Sequence, residues 1–280
     1  METQDLKELV RQKYSEIALQ DKERNKSSCC GSECCSAEAD SIMAEDYTEL
    51  KGYNAEADLG LGCGLPTKFA KINTGDVVVD LGSGAGNDAF IARHEAGDTG
   101  KIIGIDFTPA MIERARKNAE IRGINNVEFR QGDIESIPVT ADTADVIVSN
   151  CVLNLVPNKD KVFKEMYRIL KPGGHFSISD IVLEGELPVQ IRQAAEMYAG
   201  CVSGAIQKQV YLDLAEANGF KNIVVQKDKK IELEDDVLLQ YLSRKKLMEF
   251  RNSGAGIRSI TVYAEKPKKE KSCCGPECCI

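Results

Sequence analysis

The 280-residue sequence lacks two features that would assign it to the membrane proteins or to the nucleic-acid-binding proteins. No apolar run approaches the about 20 residues that a membrane-spanning helix needs. Positive charge is in deficit, since 36 Lys and Arg face 44 Asp and Glu and give a formal net charge of −8. A phosphate backbone repels that charge, and no basic stripe with interleaved aromatic residues is present. We therefore expect no membrane partner and no nucleic-acid partner.

Histidine is scarce, and an export signal is not visible. The two histidines, His94 and His175, do not lie in a convincing catalytic motif, so we interpret both as structural. Residues 1–28 are charged and helix-like and have no apolar core of the kind found in signal peptides. We therefore expect a cytoplasmic protein whose 11 cysteines are reduced thiols rather than a disulfide scaffold.

Strand and helix patterns alternate from Gly75 onward. Short apolar runs at 77–81, 101–106, 127–130, 144–149 and 175–181 are typical of buried strands, and helical patterns lie between several of them. Such alternation favours an α/β fold with a doubly wound, Rossmann-like parallel sheet. A charged amphipathic helix precedes this region and forms a helical N-terminal extension.

A glycine-rich turn, DLGSGAG over residues 80–86, connects the first predicted strand to a helix. Gly82, Gly84 and Gly86 allow a tight turn and a close approach of the backbone to a ligand. Asp80 precedes the first of these glycines by two positions, where a carboxylate suits an ammonium group better than a pyrophosphate. Asp106, 20 residues after Gly86, is placed to accept hydrogen bonds from ribose hydroxyls. Nicotinamide cofactors use similar turns, so the glycines alone do not decide between cofactors.

Two further segments narrow the choice of cofactor. Asp133, in the GDI sequence at 132–134, follows the third strand, where an acid can accept from an adenine amino group. The sequence LKPGG at 170–174 precedes the fifth strand. Together with the glycine turn, these segments resemble the class I S-adenosylmethionine-dependent methyltransferases from about Gly75 to Ile181. The resemblance implies S-adenosylmethionine as cofactor and adds Phe107, Ile134 and Asn150 to the residues that bind it. A nucleotide-type turn without methyl transfer is the alternative.

Three isolated cysteines lie in segments that such a fold brings toward one site. Cys151 directly follows the fourth strand, Cys63 lies in a glycine-rich loop before the first, and Cys201 lies after the fifth. Substrates of open α/β sheets bind beyond the carboxyl ends of the strands. A single free cysteine is more often a small buried apolar residue, but three in loops of this kind favour ligation.

The segments around these cysteines narrow the resemblance to the arsenite methyltransferases. They are LGCGLP at 61–66, SNCVLNL at 149–155 and YAGCVSGA at 198–205, and the likeness extends in order from about Tyr53 to Phe220. The resemblance implies that Cys63, Cys151 and Cys201 are the catalytic residues and the arsenic ligands. Thiolates are soft ligands that suit trivalent arsenic, and the arsenic lone pair stays free to accept a methyl group. It also implies arsenite or its thiol conjugates as substrate, in arsenic detoxification, and an external thiol reductant, either thioredoxin-like or a small thiol.

On this basis we predict four regions. They are a helical, cysteine-containing N-terminal extension (1–52), an S-adenosylmethionine-binding methyltransferase core (53–185), an arsenic-binding insertion with a C-terminal α/β part (186–265) and a cysteine-rich tail (266–280). Two other functions stay open at this point. One is a methyltransferase for another small molecule, such as a quinone, with cysteines that merely pack. The other is a non-catalytic arsenic-binding or thiol-redox protein.

The remaining eight cysteines form two near-identical modules, CCGSECC at 29–35 and CCGPECC at 273–279. The arsenite methyltransferase pattern does not explain them. Adjacent thiols of this kind can capture arsenite or relay electrons to an oxidised active site. A zinc clip or an incidental thiol-rich tail is the alternative, although neither a histidine nor C-x-x-C spacing supports zinc.

Overall fold

The fold, taken from a computed structural model, is built on one sheet with helices on both faces. The structure describes residues 3–20, 45–191, 202, 204–233 and 235–268. In this part of the chain the sheet has seven strands in the order β3-β2-β1-β4-β5-β7-β6. The strands are β1 Val77–Leu81, β2 Lys101–Asp106, β3 Val127–Gln131, β4 Ala144–Asn150, β5 Leu170–Glu184, β6 Lys221–Ile231 and β7 Gly256–Glu265.

The helices of the described chain connect these strands or precede them. They are α1 Thr3–Ala18, α2 Pro66–Phe69, α3 Asn87–Ala96, α4 Pro109–Ile121, α5 Lys159–Ile169, α6 Lys208–Ala217, α7 Asp235–Leu238 and α8 Arg244–Ser253. Local sequence explains several of their ends. Pro109 begins α4, where a missing amide hydrogen has no cost. The Asn158 side chain caps α5 by accepting from the Lys161 amide at 3.0 Å.

Strand pairing creates a crevice in the middle of the sheet. β1 pairs in parallel with both β2 and β4, and β4 pairs in parallel with β5. The chain therefore runs outward in one direction from β1 to β3 and in the other from β4. Ligands of open α/β sheets bind at this reversal point, beyond the carboxyl ends of the strands. Here that position lies after Leu81 and Asn150, so the fold brings the glycine turn and the segment of Cys151 together.

Apolar residues fill both faces of the sheet. One buried cluster packs α5 and α6 on the sheet and includes Phe163, Phe176 and Phe220. A second packs α1, α3 and α4 on the other face and includes Ile17 and Phe90. The α/β prediction is confirmed, and the strands after residue 220 extend the same sheet. The sheet is mixed rather than wholly parallel, because β7 pairs antiparallel with both β5 and β6. No described helix is both long enough and apolar enough to cross a membrane.

The structure corrects the predicted start of the fifth strand. β5 begins at Leu170, so the LKPGG segment belongs to the strand, with a left-handed Gly173 (φ 86°), and does not precede it. The Gly173 amide donates to the Lys266 carbonyl at 2.8 Å, which continues the pairing. Beyond β6 the chain forms two helices, α7 and α8, and the second begins at Arg244. A new helix starts there because the Ser243 side chain accepts from the Lys246 amide. Residues 45–50 are not helical.

Candidate active site

The glycine turn after β1 has the geometry that its sequence predicts. Gly82, Gly84 and Gly86 have φ values of 71°, 51° and 99°, in the left-handed region that favours glycine. The amides of Gly82 and Ser83 both donate to the Ile105 carbonyl, at 2.7 and 2.9 Å. The turn is thus held against the end of β2. A side chain at Gly86 would lie 2.8 Å from the Phe129 ring, and one at Gly82 would lie 2.3 Å from the Val152 side chain, so both positions also lack space for a side chain.

Two adjacent cavities of about 550 and 640 Å³ lie beyond the ends of β1, β2 and β4. They share Tyr14, Gly82 and Asp106 as lining residues and are therefore two parts of one site. Most cofactor residues predicted from the sequence line one or both cavities, namely Asp80, Gly82, Gly84, Asp106, Phe107, Asp133, Ile134 and Asn150. Gly86 lines neither.

Several buried polar atoms near the second cavity have no hydrogen-bond partner within the described protein. They are Asp80 Oδ2, Ser83 Oγ and Asn87 Oδ1. Buried polar atoms are normally satisfied, so such a group of atoms indicates a polar ligand. Burial raises the pKa of Asp80 well above its usual range, and the nearby Asp88 and Asp106 charges raise it further. A ligand ammonium beside Asp80 relieves both effects. These atoms fit the amino-acid end of S-adenosylmethionine.

Asp106 is placed to bind a ribose while it supports the turn. Its Oδ2 accepts from the Gly84 amide at 3.0 Å, and its Oδ1 accepts from the Thr108 amide at 2.8 Å. Burial raises the pKa of this carboxyl, whereas the backbone amides lower it. Each ionised carboxylate oxygen has a second lone pair for a ligand hydroxyl. The residue therefore fits its predicted role.

The N-terminal helix contributes to the site, which sequence reasoning missed. Lys7 and Tyr14 of α1 line the cavities. The Lys7 Nζ lies 2.6 Å from Asp133 Oδ2 and also pairs with Glu135. The sequence feature that indicates a packed N-terminal helix is its apolar face, which includes Tyr14 and the buried Ile17. That face predicts packing on a neighbouring element without showing which one.

Cys63 and Cys151 lie side by side, and both are buried. They are joined by a disulfide with a Cα–Cα distance of 5.9 Å, although 88 positions separate them in sequence. This corrects the prediction that the cysteines are all reduced. The physical reason is that both loops lie over the carboxyl ends of neighbouring strands. Cys151 also lines the second cavity, together with Asp80 and Gly82. Cys201 and both paired-cysteine modules lie outside the described residues.

A polar network surrounds the Cys63 loop. Asp88 accepts from Tyr47 Oη at 3.0 Å and from Asn150 Nδ2 at 3.2 Å, and Thr67 Oγ1 lies 3.3 Å from its other oxygen. Burial raises the pKa of Asp88 to about 6, and these hydrogen bonds oppose the shift. Burial, followed by the Asp88 charge, raises the pKa of Tyr47 well above its usual range. Through Asn150, this network connects α3, which carries Asp88, to the Cys63 loop.

The histidines are not among the residues that line either cavity. His175 Nε2 lies 2.6 Å from the Ala70 carbonyl oxygen, and its ring packs on Tyr263 with centroids 5.0 Å apart. These contacts tie α2 to the sheet, in agreement with a structural role for His175.

The sheet order and the glycine turn together define a class I S-adenosylmethionine-dependent methyltransferase. A family model described as a methyltransferase domain matches residues 72–219. The arsenite methyltransferase of Halobacterium salinarum is 36% identical over 95% of this chain and 68% of its own length. The chain belongs to the arsenite methyltransferase family.

Two other relatives place this assignment in context. The crystal structure of an arsenic(III) S-adenosylmethionine methyltransferase from Chlamydomonas reinhardtii has a TM-score of 0.63 and 32% identity. That match covers 82% of this chain and 73% of the algal one. A demethylmenaquinone methyltransferase of Lactobacillus johnsonii is 30% identical over 66% of this chain and 84% of its own length. The quinone alternative thus has a relative too, although its likeness covers less of this chain than that of the archaeal protein.

Proposed function

We propose that this protein transfers methyl groups from S-adenosylmethionine to trivalent arsenic bound by the thiolates of Cys63, Cys151 and Cys201. The observation that carries the proposal is that Cys151, one member of the Cys63–Cys151 pair, lines the cofactor cavity. A Cα–Cα distance of 5.9 Å lets both sulfur atoms reach one small soft centre once they are reduced. A quinone acceptor gives no reason for two adjacent thiols at this place.

Arsenite binding needs no catalytic base from the protein. Three thiols exchange for the three hydroxyl groups of arsenous acid, and their protons leave with those groups as three molecules of water. The resulting three-sulfur site is pyramidal and leaves the arsenic lone pair free. Cys63 and Cys151 pack in an apolar cluster with Ile181 and Val202. That surrounding excludes water from the back of the bound arsenic.

The bound cofactor supplies an electrophilic sulfonium methyl group. The protein contributes alignment, since Asp80 and Asp106 hold the cofactor cavity on one side and the cysteines hold the arsenic on the other. Orientation of two reactants can lower a barrier by up to about 7–11 kcal/mol. No proton has to leave the acceptor atom, which agrees with histidines that line neither cavity.

Methylation raises the formal oxidation state of arsenic from three to five. Two thiolates that give up one electron each return it to three and become a disulfide. The Cys63–Cys151 disulfide has the composition of that product. Renewal then requires an external dithiol or two small thiols, which exchange with the disulfide and are themselves oxidised. We propose a thioredoxin-like protein or a small thiol for this step. A cytoplasmic location follows, because a reducing compartment maintains such a donor.

Methyl transfer can be tested with S-adenosylmethionine labelled in its methyl group, arsenite and excess thiol, followed by separation of the arsenic species. We expect labelled methylarsenic from the wild-type protein and none from Cys151→Ser. Label in an added demethylmenaquinone, with none in arsenic, would support the quinone alternative instead. Arsenite binding without any transfer would indicate a binding or redox protein.

A further inference from the structure

Cys151 is held in an unusual backbone conformation directly after β4. Its φ is 60°, which is uncommon for a residue other than glycine. Its amide donates to the Ser179 carbonyl at 2.8 Å, which attaches it to β5. A left-handed residue at the end of a strand turns the chain sharply. The position of this thiol is therefore determined by the sheet, and Asn150 is the last residue of the strand before it.

The Asn150 side chain spans from this strand end to the other cysteine. Its Oδ1 accepts from the Cys63 amide at 3.0 Å, and its Nδ2 donates to the Gly64 carbonyl at 2.8 Å. Ser259 Oγ donates to the Cys63 carbonyl at 2.5 Å. Both main-chain polar groups of Cys63 are thus held by side chains, and one of those side chains is the immediate neighbour of Cys151.

The orientation of the Asn150 amide is defined by its neighbours. Its Nδ2 faces the Asp88 carboxylate at 3.2 Å, besides the Gly64 carbonyl, and it also contacts Tyr47 Oη. Only the NH₂ end of an amide can donate to a carboxylate and to a carbonyl. Oδ1 must then point toward the Cys63 amide. The network around Asp88 consequently sets which atom of Asn150 meets the cysteine loop.

The loop of Cys63 can approach this closely because glycines flank the cysteine. A side chain at Gly62 would lie 2.7 Å from Asn150 Nδ2, and one at Gly64 would lie 2.4 Å from Ser179 Oγ. Real side chains do not reach such distances without displacement of the neighbour. The two glycines and Asn150 therefore form one fitted contact between the Cys63 loop and the strand ends.

We propose that Asn150 is a positioning residue that sets the separation of the Cys63 and Cys151 thiols by holding the Cys63 main chain. This proposal deepens the proposed function and rests on it for its role in arsenic binding. It differs from the role that the family resemblance implies, in which Asn150 binds the cofactor. Its amide oxygen and both donor directions already have protein partners.

A measurement that needs neither arsenite nor cofactor distinguishes thiol positioning by Asn150 from cofactor binding. The full-length protein is equilibrated in mixtures of reduced and oxidised glutathione. Oxidation of the pair converts one glutathione disulfide to two glutathiones, so the equilibrium constant reports how readily the two thiols meet. Differential alkylation followed by peptide mass spectrometry quantifies Cys63 and Cys151 individually in the presence of the other cysteines.

Asn126 provides a matched control for the substitution. This asparagine also joins two loops, since its Nδ2 donates to the Gly97 and Gly100 carbonyls at 3.0 and 2.9 Å. It directly precedes β3 and so lies at the amino ends of the parallel strands, whereas the cysteines lie near the carboxyl ends. Asn150→Ala is expected to lower the equilibrium constant for the Cys63–Cys151 disulfide by roughly tenfold or more, whereas Asn126→Ala leaves it within about twofold. Affinity of Asn150→Ala for S-adenosylmethionine is expected to stay within about threefold of the wild type.

A reciprocal exchange keeps the proposal falsifiable if Asn150→Ala fails to fold. Asn150→Asp retains the acceptor for the Cys63 amide but loses the donors and places a second carboxylate beside Asp88. Adding Asp88→Asn restores an amide donor between the two positions. We expect the single Asn150→Asp variant to weaken the disulfide equilibrium and the double variant to recover most of that loss.

An unchanged disulfide equilibrium in folded Asn150→Ala, with a large loss of cofactor affinity, would overturn the proposal in favour of a cofactor-binding role. Failure of the double variant to recover would also count against it. A wild-type protein that does not methylate arsenite would refute the proposed function, yet the glutathione result would still decide how Asn150 positions the thiols.

Discussion

The ammonium group of Lys7 lies 2.6 Å from Oδ2 of Asp133, the carboxylate predicted to accept from the adenine amino group. The other oxygen, Oδ1, accepts from the Glu135 amide at 2.8 Å. The N-terminal helix α1 therefore competes for an atom that the cofactor is expected to use. The Lys7 and Asp133 side chains are 29% and 41% exposed, so the pair contributes at most about 1 kcal/mol.

Lys7→Met is accordingly expected to raise the affinity for S-adenosylmethionine by about two- to fivefold, because it frees Asp133 Oδ2. Lys13→Met, on an exposed position of the same helix, should leave the affinity unchanged. Isothermal calorimetry measures both. A weaker affinity in Lys7→Met would mean that Lys7 contacts the bound cofactor directly and does not compete with it.

Asp106→Ala is expected to weaken cofactor binding sharply. Its carboxylate is placed to accept charge-assisted hydrogen bonds from the ribose, which contribute about 1.5–3 kcal/mol each, and it also supports the Gly84 amide of the turn. A loss of at least tenfold in affinity follows from the lower figure. Asp98→Ala, at a largely exposed carboxylate, is the control. Unchanged affinity in a folded Asp106→Ala protein would remove Asp106 from the cofactor site.

Replacement of Cys151 or Cys201 by Ser is expected to abolish arsenite methylation while cofactor affinity stays near that of the wild type. A hydroxyl is harder and far less acidic than a thiol, so arsenic loses a ligand with little change in shape. Arsenic X-ray absorption should show one sulfur neighbour fewer. Methylation of arsenite at the wild-type rate by either variant would show that the replaced cysteine is not a required ligand.

Cys63→Ser is expected to spare a later methylation step, because methylated arsenic has fewer positions for thiolates. The test supplies methylarsenite in place of arsenite and compares the two rates. Equal loss with both substrates would place Cys63 among the ligands that every step requires.

The stability of the protein is expected to fall between pH 5 and 7.5 through Asp180. This residue is fully buried, accepts from Tyr211 Oη at 3.1 Å and has a pKa raised by burial to about 7. The nearby Lys159 charge opposes that shift. The native state therefore keeps a proton that the unfolded chain releases near pH 4. The free energy of unfolding consequently decreases as the pH rises toward 7 and becomes constant above that pH.

Over this interval the free energy of unfolding should decrease by roughly 2–3 kcal/mol more in the wild type than in Asp180→Asn. Urea titrations of both proteins at several pH values measure the difference. Parallel pH profiles would show that Asp180 does not titrate in this range.

Replacement of all eight cysteines at 29–35 and 273–279 by Ser is expected to leave single-turnover methylation unchanged in excess thiol. The thiol pairs of these modules would act in arsenite capture or in exchange with a disulfide, and neither is the chemical step. We expect slower multiple turnover at low arsenite or limiting thiol. Equal rates under both conditions would leave the modules without a role in the reaction, and loss of the single turnover would add them to the arsenic site.

The sequence by itself determined the strand and helix alternation, the glycine turn and its acids. These are local properties, since period, turn chemistry and the spacing of Asp80 and Asp106 from the glycines all lie within short stretches of chain. The left-handed φ values of Gly82, Gly84 and Gly86 follow from the same local pattern. Family motifs around the cysteines carried the arsenic assignment, and the comparison with relatives confirmed it.

Only the tertiary structure decided how distant side chains meet. Cys63 and Cys151 are 88 positions apart, and their contact depends on the sheet order that places β4, β5 and β7 side by side under the Cys63 loop. The role of Asn150 depends on where the Cys63 loop crosses the end of that strand, and Lys7 reaches Asp133 from 126 positions away. Local sequence patterns cannot predict contacts between residues so far apart in the chain. Such contacts form only when tertiary packing closes the long loops between them.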